Sequence, residues 1–218
     1  MSDYYSPPQR DLQERFDTRR LADLIAGQVM HPALQPQEVE MITNSDMVFV
    51  STVNAAGQPT VSYKGGDIGF VTVIDNATLA IPIYDGNGTF YTTGNVAEVQ
   101  KIGLLFIDFE RPNRLRVHGT AELIFEGPLL ESYHEAQFLV QVNISEIYPN
   151  CPRYVHKYQR VAKSKFVPAP DVETPIPGWK RIDQVQDALP AHQQGRAEER
   201  GGKITMEEYA EQLARGEV

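Results

Sequence analysis

A series of short, β-branched segments between residues 47 and 147, each ended by a turn signal, constrains the fold most strongly. In the clearest case the turn-forming Asn54-Ala55-Ala56-Gly57 follows residues 47–53. The pattern predicts strands at residues 47–53, 60–64, 70–74, 79–84, 102–109, 114–125 and 138–147. Six or seven short strands with few helices between them predict a mainly β (α+β) chain, built as an antiparallel barrel or sandwich.

Helices are predicted at both ends of the chain and in two of the connections. They fall at residues 9–30, as one amphipathic helix or a pair, and at residues 36–42, 89–100, about 128–137 and 205–215. The last begins with a Thr-x-x-Glu capping box. We therefore divide the chain into a helical leader (1–45), a β domain (46–167) and a proline-rich linker with a helical tail (168–218). We expect the tail to wrap the body or a partner subunit.

Composition excludes several classes of protein. The 218 residues are 41% hydrophobic, enough for a sizeable core, and 20 basic against 29 acidic residues give a net charge of −9. An acidic chain without a basic run is not expected to bind nucleic acid or an anionic membrane. No apolar run approaches the roughly 20 residues of a spanning helix, and the first residues lack the features of a signal peptide. We expect a cytoplasmic protein.

The common catalytic motifs are absent from the sequence. There is no Walker loop, no G-x-G-x-x-G after a strand, no H-E-x-x-H and no G-x-S-x-G. The five histidines are scattered, so no metal site is predicted. The single cysteine, Cys151, has no base beside it and is not favoured as a nucleophile.

Three local segments are candidates for binding an anion. Ser62-Tyr63-Lys64-Gly65-Gly66 ends a strand and places a hydroxyl and an ammonium on one face beside bare backbone. Tyr84-Asp85-Gly86-Asn87-Gly88 precedes a helix, whose first amides favour anions. The turn at 149–154 offers Asn150 and Arg153. Each also has an ordinary structural interpretation, as a solvated glycine loop or a turn.

A separate basic feature is the alternation of Arg114, Arg116 and His118 on one face of a predicted strand. This face is either solvated or meets an anion across an interface.

Taken together, these segments resemble the FMN-binding split-barrel family of pyridoxamine 5′-phosphate oxidase and its relatives, and most closely a bacterial subgroup of it. The resemblance is carried by DMVFVSTV (46–53), GQPTVSYKGG (57–66), GFV (69–71), LAIPIYDGNG (79–88), GLLFIDFERP (103–112), RLRVHG (114–119) and YPNCPRY (148–154).

The resemblance implies a six-stranded antiparallel split β-barrel with flanking helices, a homodimer, and FMN held at the subunit interface. It also implies the cofactor-binding residues. These are Ser62, Tyr63, Lys64 and Gly65 on one strand, then Ile81, Pro82, Tyr84, Gly86, Asn87 and Gly88 at a strand–helix junction, Asn95 in the helix, and Asn150 and Arg153 reaching the partner's flavin.

The chain departs from the oxidase at three places. Ser62 stands where the oxidase has an arginine, Asn87-Gly88 replaces an Arg-Lys pair, and residues 175–181 lack the segment that binds pyridoxal phosphate. We therefore expect an FMN-dependent oxidoreductase of unknown substrate that does not oxidise pyridoxamine phosphate. No catalytic acid or base is evident, and the nearest candidates are Tyr63, Tyr84 and Tyr154.

Three alternatives remain open. The first is a reductase that uses deazaflavin, and the second is a haem-binding relative with His118 or His156 as the axial ligand. The third is a non-catalytic flavin-binding or stress-related dimer.

Overall fold

A single antiparallel sheet of seven strands forms the centre of the computed structural model, which describes residues 4–216. The strands are β1 (Met47–Val53), β2 (Pro59–Gly65), β3 (Thr72–Asp75), β4 (Thr78–Ile83), β5 (Lys101–Asp108), β6 (Asn113–Ile124) and β7 (Phe138–Asn150). Their order in the sheet is β2-β1-β5-β6-β7-β4-β3. The predicted fold class, mainly β with flanking helices, is confirmed. Seven strands is one more than the resemblance implied and lies within the six or seven predicted from the turns.

Alternation along the strands builds the core on one face of the sheet, called here the inner face. Every second residue of β1 is buried, from Val48 to Val50 to Thr52, and β5 buries Ile102, Leu104 and Phe106 in the same way. The intervening residues of β5 are half-buried. The apolar run at 102–109 therefore has one face in the core and one face partly open.

Strands β6 and β7 are the longest and join the two parts of the sheet. Strand β6 pairs with β5 and β7, and the first half of β7 also pairs with β4. Their shared ladder shifts register between His118 and Gly119. A Cβ at Gly119 would lie 2.3 Å from the carbonyl oxygen of Asn143, so only glycine fits at this bulge.

The helices before and between the strands largely follow the predictions. They are α1 (Pro7–Arg15), α2 (Arg19–Gln28), α3 (Pro36–Thr43), α4 (Tyr91–Val99) and α5 (Pro128–Glu131). The leader is a helix pair, broken at Asp17 with φ of 51°.

The prediction of a helix to about residue 137 is wrong, because α5 has only 4 residues. The Ser132 hydroxyl donates to the Leu129 carbonyl, and Glu135 has φ of 56°. Both features end a helix.

The chain forms two compact units, one ending at Lys163 and the other beginning at Ser164. The second contains 3₁₀ turns, a short α6 (Arg196–Glu199) and α7 (Met206–Arg215). The predicted capping box at α7 is confirmed. The backbone N–H of Glu208 donates to the Thr205 hydroxyl at 3.1 Å, and that of Thr205 donates to the Glu208 carboxylate at 2.7 Å. Within residues 4–216, no helix has both the length and the apolar character needed to cross a bilayer.

Candidate functional site

Strand β2 presents Ser62 and Lys64 to the inner face of the sheet. Ser62 pairs with Val50 and Lys64 with Val48, and cross-strand partners point to the same side. Val48 and Val50 are both buried in the core, whereas Ser62 and Lys64 are half-buried at the edge of the sheet. The predicted hydroxyl and ammonium therefore lie on one face, next to the core.

Lys64 carries its positive charge in a half-buried position at this edge of the sheet. Burial lowers the pKa of its ammonium below the usual 10.5, and no charged group is a further cause of the shift. Among residues 4–216, no side chain or carbonyl forms a hydrogen bond or ion pair with it. A partly desolvated cation without a partner is a position where an anionic ligand gains more than it would at an exposed lysine.

The first turn of α4 lies against the same edge. The Ser62 hydroxyl is 3.0 Å from that of Thr92, the second residue of the helix. The N–H groups of a first turn have no partner within the helix and carry its positive dipole end. Two hydroxyls, one ammonium and free helix amides together suit a phosphate group.

Thr92 is a residue that sequence reasoning did not select. A signal was present, because the predicted helix at 89–100 has three threonines, Thr89, Thr92 and Thr93, among its first five residues. What the sequence did not provide was the pairing of this turn with β2, which lies 30 residues earlier in the chain.

Asn95 lies one turn further along α4 and is only 7% exposed. Its side-chain amide donates to the Thr52 hydroxyl of β1 at 3.1 Å. This buried hydrogen bond fixes α4 against the sheet, so Asn95 positions the first turn of the helix relative to β2.

The loop between β4 and α4 is open to solvent. The Asn87 carboxamide oxygen accepts from the backbone N–H of Thr89 at 3.1 Å and from its hydroxyl at 2.7 Å. A Cβ at Gly86 or Gly88 would meet no atom within 4 Å, so there is room for a ligand beside both residues. Tyr84, at the start of the loop, is half-buried. Burial, with the Tyr133 phenol and the Asp67 carboxylate, raises its pKa to about 12, so it is a neutral phenol near pH 7.

Other residues implied by the resemblance lie elsewhere. Tyr63 is on the opposite face of β2, is 60% exposed, and has its ring 6.0 Å from that of Phe49. The Tyr63 ring also covers Gly65, where an added Cβ would lie 2.9 Å from it. Ile81 and Pro82 are buried in β4, so their side chains are not open to a ligand.

Asn150 and Arg153 are not brought to this edge in the single chain. Asn150 ends β7, four strands away from β2 in the sheet order. Arg153 is exposed, and its backbone N–H lies 3.4 Å from the Cys151 sulfur. Tyr154 is 89% exposed with φ of 67°. In the described part of the chain, Tyr84 is the only one of the three candidate tyrosines near the β4–α4 loop.

The basic residues of β6 have partners within the chain. Arg114 donates from Nη2 to the Cys151 carbonyl, Arg116 lies 5.7 Å from the centroid of a tyrosine ring on β7, and His118 Nδ1 is 3.2 Å from Glu146 Oε1. Across residues 4–216, no three His, Cys, Asp or Glu side chains are grouped as a metal site.

Comparison with solved structures finds several chains that match part of this one. A candidate pyridoxamine 5′-phosphate oxidase from Lactobacillus delbrueckii is 27% identical, and the match covers 54% of this chain and 95% of that one (TM-score 0.45). The HupZ protein of Group A Streptococcus is 22% identical, with 58% and 100% covered (TM-score 0.45). An FMN-binding protein from Syntrophomonas wolfei is 13% identical, with 64% and 97% covered (TM-score 0.41).

No curated protein matches the chain significantly. The family model described as pyridoxamine 5′-phosphate oxidase matches residues 34–161, which is more than half of the 218 residues. That range contains the whole sheet, α4 and the edge formed by Ser62, Lys64 and Thr92. With its antiparallel sheet and this match, the chain belongs to the pyridoxamine 5′-phosphate oxidase family of FMN-binding split barrels.

Proposed function

We propose that this protein binds FMN and uses it as an oxidoreductase acting on a small molecule. The observation that carries the proposal is the ammonium of the half-buried Lys64, which has no partner among the described residues. It lies on the same face as Ser62, whose hydroxyl contacts the first turn of α4. A flavin phosphate supplies the negative charge and the acceptor oxygens that these groups lack. The Lys64 ammonium thus supplies part of the positive charge that an arginine provides in the oxidase at the position of Ser62.

The proposed roles of the residues follow from their positions. Lys64, Ser62 and Thr92 bind the phosphate, and the open backbone at Gly86 and Gly88 leaves space for the rest of the cofactor. FMN when bound supplies the electron or hydride chemistry, and the protein supplies binding and orientation. Tyr84, whose high pKa keeps it protonated, offers a neutral hydrogen-bond donor at the mouth of the site. Because residues 175–181 lack the pyridoxal phosphate segment, we propose a substrate other than pyridoxamine phosphate.

We further propose that the protein is a homodimer with FMN at the subunit interface, the arrangement that the family resemblance implies. The support is the face of β2, β1 and β5 opposite the core, called here the outer face. It carries Val61 and Tyr63, which are 66% and 60% exposed, and the half-buried Phe49, Leu105 and Ile107. A partner on this apolar face would bury it, and would allow residues such as Arg153 to approach a flavin bound by the other subunit.

Titration of the cofactor-free protein with FMN, followed by absorption, tests the proposal. Saturable binding with a red-shifted or resolved flavin band supports it, and reduction of the bound flavin by NAD(P)H or another donor supports the oxidoreductase assignment. Binding of deazaflavin or haem in preference to FMN would replace the proposed cofactor. Stable FMN binding without turnover with any donor would favour a flavin-binding protein that is not an enzyme.

A further inference from the structure

Charges of opposite sign are collected in two neighbouring stretches of the chain. Residues 117–152 contain five glutamates and neither lysine nor arginine, whereas residues 153–163 contain two arginines, two lysines and no acid. Both stretches belong to the first compact unit. In a chain with a net charge of −9, the second stretch is a local exception to the overall negative charge.

The positive stretch lies in an extended segment that follows β7, residues 151–163, called here the cationic strap. It contains no helix or strand and is exposed along almost its whole length. Its later part is anchored to its own chain, because Arg160 Nη1 donates to Asp46 Oδ2 at 2.6 Å and Lys163 Nζ donates to Asp67 Oδ1 at 2.7 Å.

The earlier part of the cationic strap carries charges that the chain does not neutralise. The side chains of Arg153 and Lys157 are exposed and form no hydrogen bond or ion pair with any residue from 4 to 216. Tyr154, between them, is 89% exposed. The strap therefore presents two free cations and an exposed ring from an anchored base.

The negative stretch has a matching exposed part at residues 122–135, called here the acidic end. It covers the last turn of β6 and the connection through α5. Glu126 and Glu131 are exposed, and their carboxylates have no hydrogen-bond or ion-pair partner in the described part of the chain. Phe125, beside Glu126, is 65% exposed. The acidic end thus presents two free anions and an exposed ring.

The two surfaces lie toward opposite ends of β6 in one chain. The strap follows Asn150, which pairs with Arg114 near the start of β6, and the backbone N–H of Tyr158 donates to the Phe109 carbonyl where β5 turns toward β6. Glu122 lies eight residues further along β6 than Arg114, a distance of about 26 Å at about 3.3 Å per residue. Contact between free cations and free anions therefore requires two molecules.

We propose that the free cations of the cationic strap contact the acidic end of a second copy of this chain. Two copies related by a two-fold axis form this contact twice, because the start of β6 in one subunit then faces the end of β6 in the other. Charged contacts at the edge of an interface fix its register and increase the association rate more than the affinity. The inference rests on the proposed homodimer, whose affinity the apolar outer face supplies.

Sedimentation velocity of the full-length protein with two charge-reversed variants tests the inference. The strap variant carries Arg153→Glu and Lys157→Glu, and the acidic-end variant carries Glu126→Lys and Glu131→Lys. Each places like charges opposite each other in its own homodimer, so each should raise the dimer dissociation constant at least about tenfold in about 50 mM NaCl.

An equal mixture of the two variants gives the decisive result. In the mixed dimer a reversed strap meets a reversed acidic end and the native strap meets the native acidic end, so both contacts are again between opposite charges. We expect the mixture to recover most of the wild-type affinity. Arg15→Glu with Arg20→Glu is the matched control, because it reverses two exposed arginines of the leader helices and should leave the dissociation constant unchanged.

Circular dichroism and thermal unfolding establish that each variant is folded, and Lys157→Glu and Glu131→Lys singly replace a double variant that is not. Wild-type protein that dimerises while both variants keep its dissociation constant would overturn this inference and leave the proposed homodimer intact. A mixture no tighter than the separate variants would also overturn it. Wild-type protein that stays monomeric would contradict the homodimer itself, and this inference with it.

Discussion

Replacing Lys64 with alanine should weaken FMN binding much more than riboflavin binding. The two ligands share the ring system and the ribityl chain and differ in the phosphate, so their comparison isolates the group that Lys64 is proposed to bind. A hydrogen bond to a charged partner contributes about 1.5–3 kcal/mol. At about 1.4 kcal/mol per factor of ten, the Kd for FMN should rise about 10- to 150-fold.

The structure favours the upper part of this range. The Lys64 ammonium is already partly desolvated by the protein itself, because burial alone lowers its pKa, and it has no partner among the described residues to give up on binding. For the same reason the free energy of unfolding without FMN should not fall in Lys64→Ala through loss of an ion pair. Lys64→Met, which retains the aliphatic stem, should show the same loss of FMN affinity with less disturbance of packing.

The assay is quenching of flavin fluorescence during titration with protein, for wild type and each variant. Lys101→Ala is the matched control, because Lys101 is an exposed lysine at the start of β5. We expect the ratio of FMN to riboflavin affinity to fall toward one in the Lys64 variants only. An unchanged FMN affinity, or an equal loss for FMN and riboflavin, would refute the assignment of Lys64 to the phosphate.

Two further predictions concern single hydrogen-bonded side chains, and a third concerns the outer face. Asn95→Ala should lower the free energy of unfolding by about 1–3 kcal/mol in urea titrations, since it leaves a buried hydroxyl of β1 without its donor; an unchanged midpoint would contradict the role of this bond. For His31, burial lowers the pKa, but the bonds to Glu38 and to a backbone carbonyl outweigh it and raise the pKa above 6.5. The stability of wild type relative to His31→Gln should therefore be greatest at low pH and be lost as pH rises through the folded-state pKa, and a difference that grows with pH would contradict this. Val61→Glu, on the outer face, should convert a dimer to monomer in analytical ultracentrifugation, while Val161→Glu, at a 98% exposed position, should not; a Val61→Glu dimer would place the interface elsewhere.

The positions of most strands and helices could be predicted from the sequence, because turn residues and alternation are local signals. The strands at 47–53 and 60–64, the Pro36 helix start and the Thr205 capping box all depend on neighbours a few residues apart. The helix predicted to continue to residue 137 failed for an equally local reason. The sequence favoured helix after Pro128, but a serine hydroxyl and a left-handed residue ended it.

The site was predictable only in part. Alternation placed Ser62 and Lys64 on one face without any knowledge of the sheet. The contact of Ser62 with Thr92 depends on how α4 packs, which no local pattern contains.

The measurement that tests the central claim most directly is the absorption spectrum of the purified protein after addition of excess FMN and gel filtration. The account predicts that the two visible flavin bands elute with the protein at one FMN per chain, and that Lys64→Ala retains less flavin than wild type. A protein that elutes without colour, or one that carries a Soret band and excludes FMN, would contradict it.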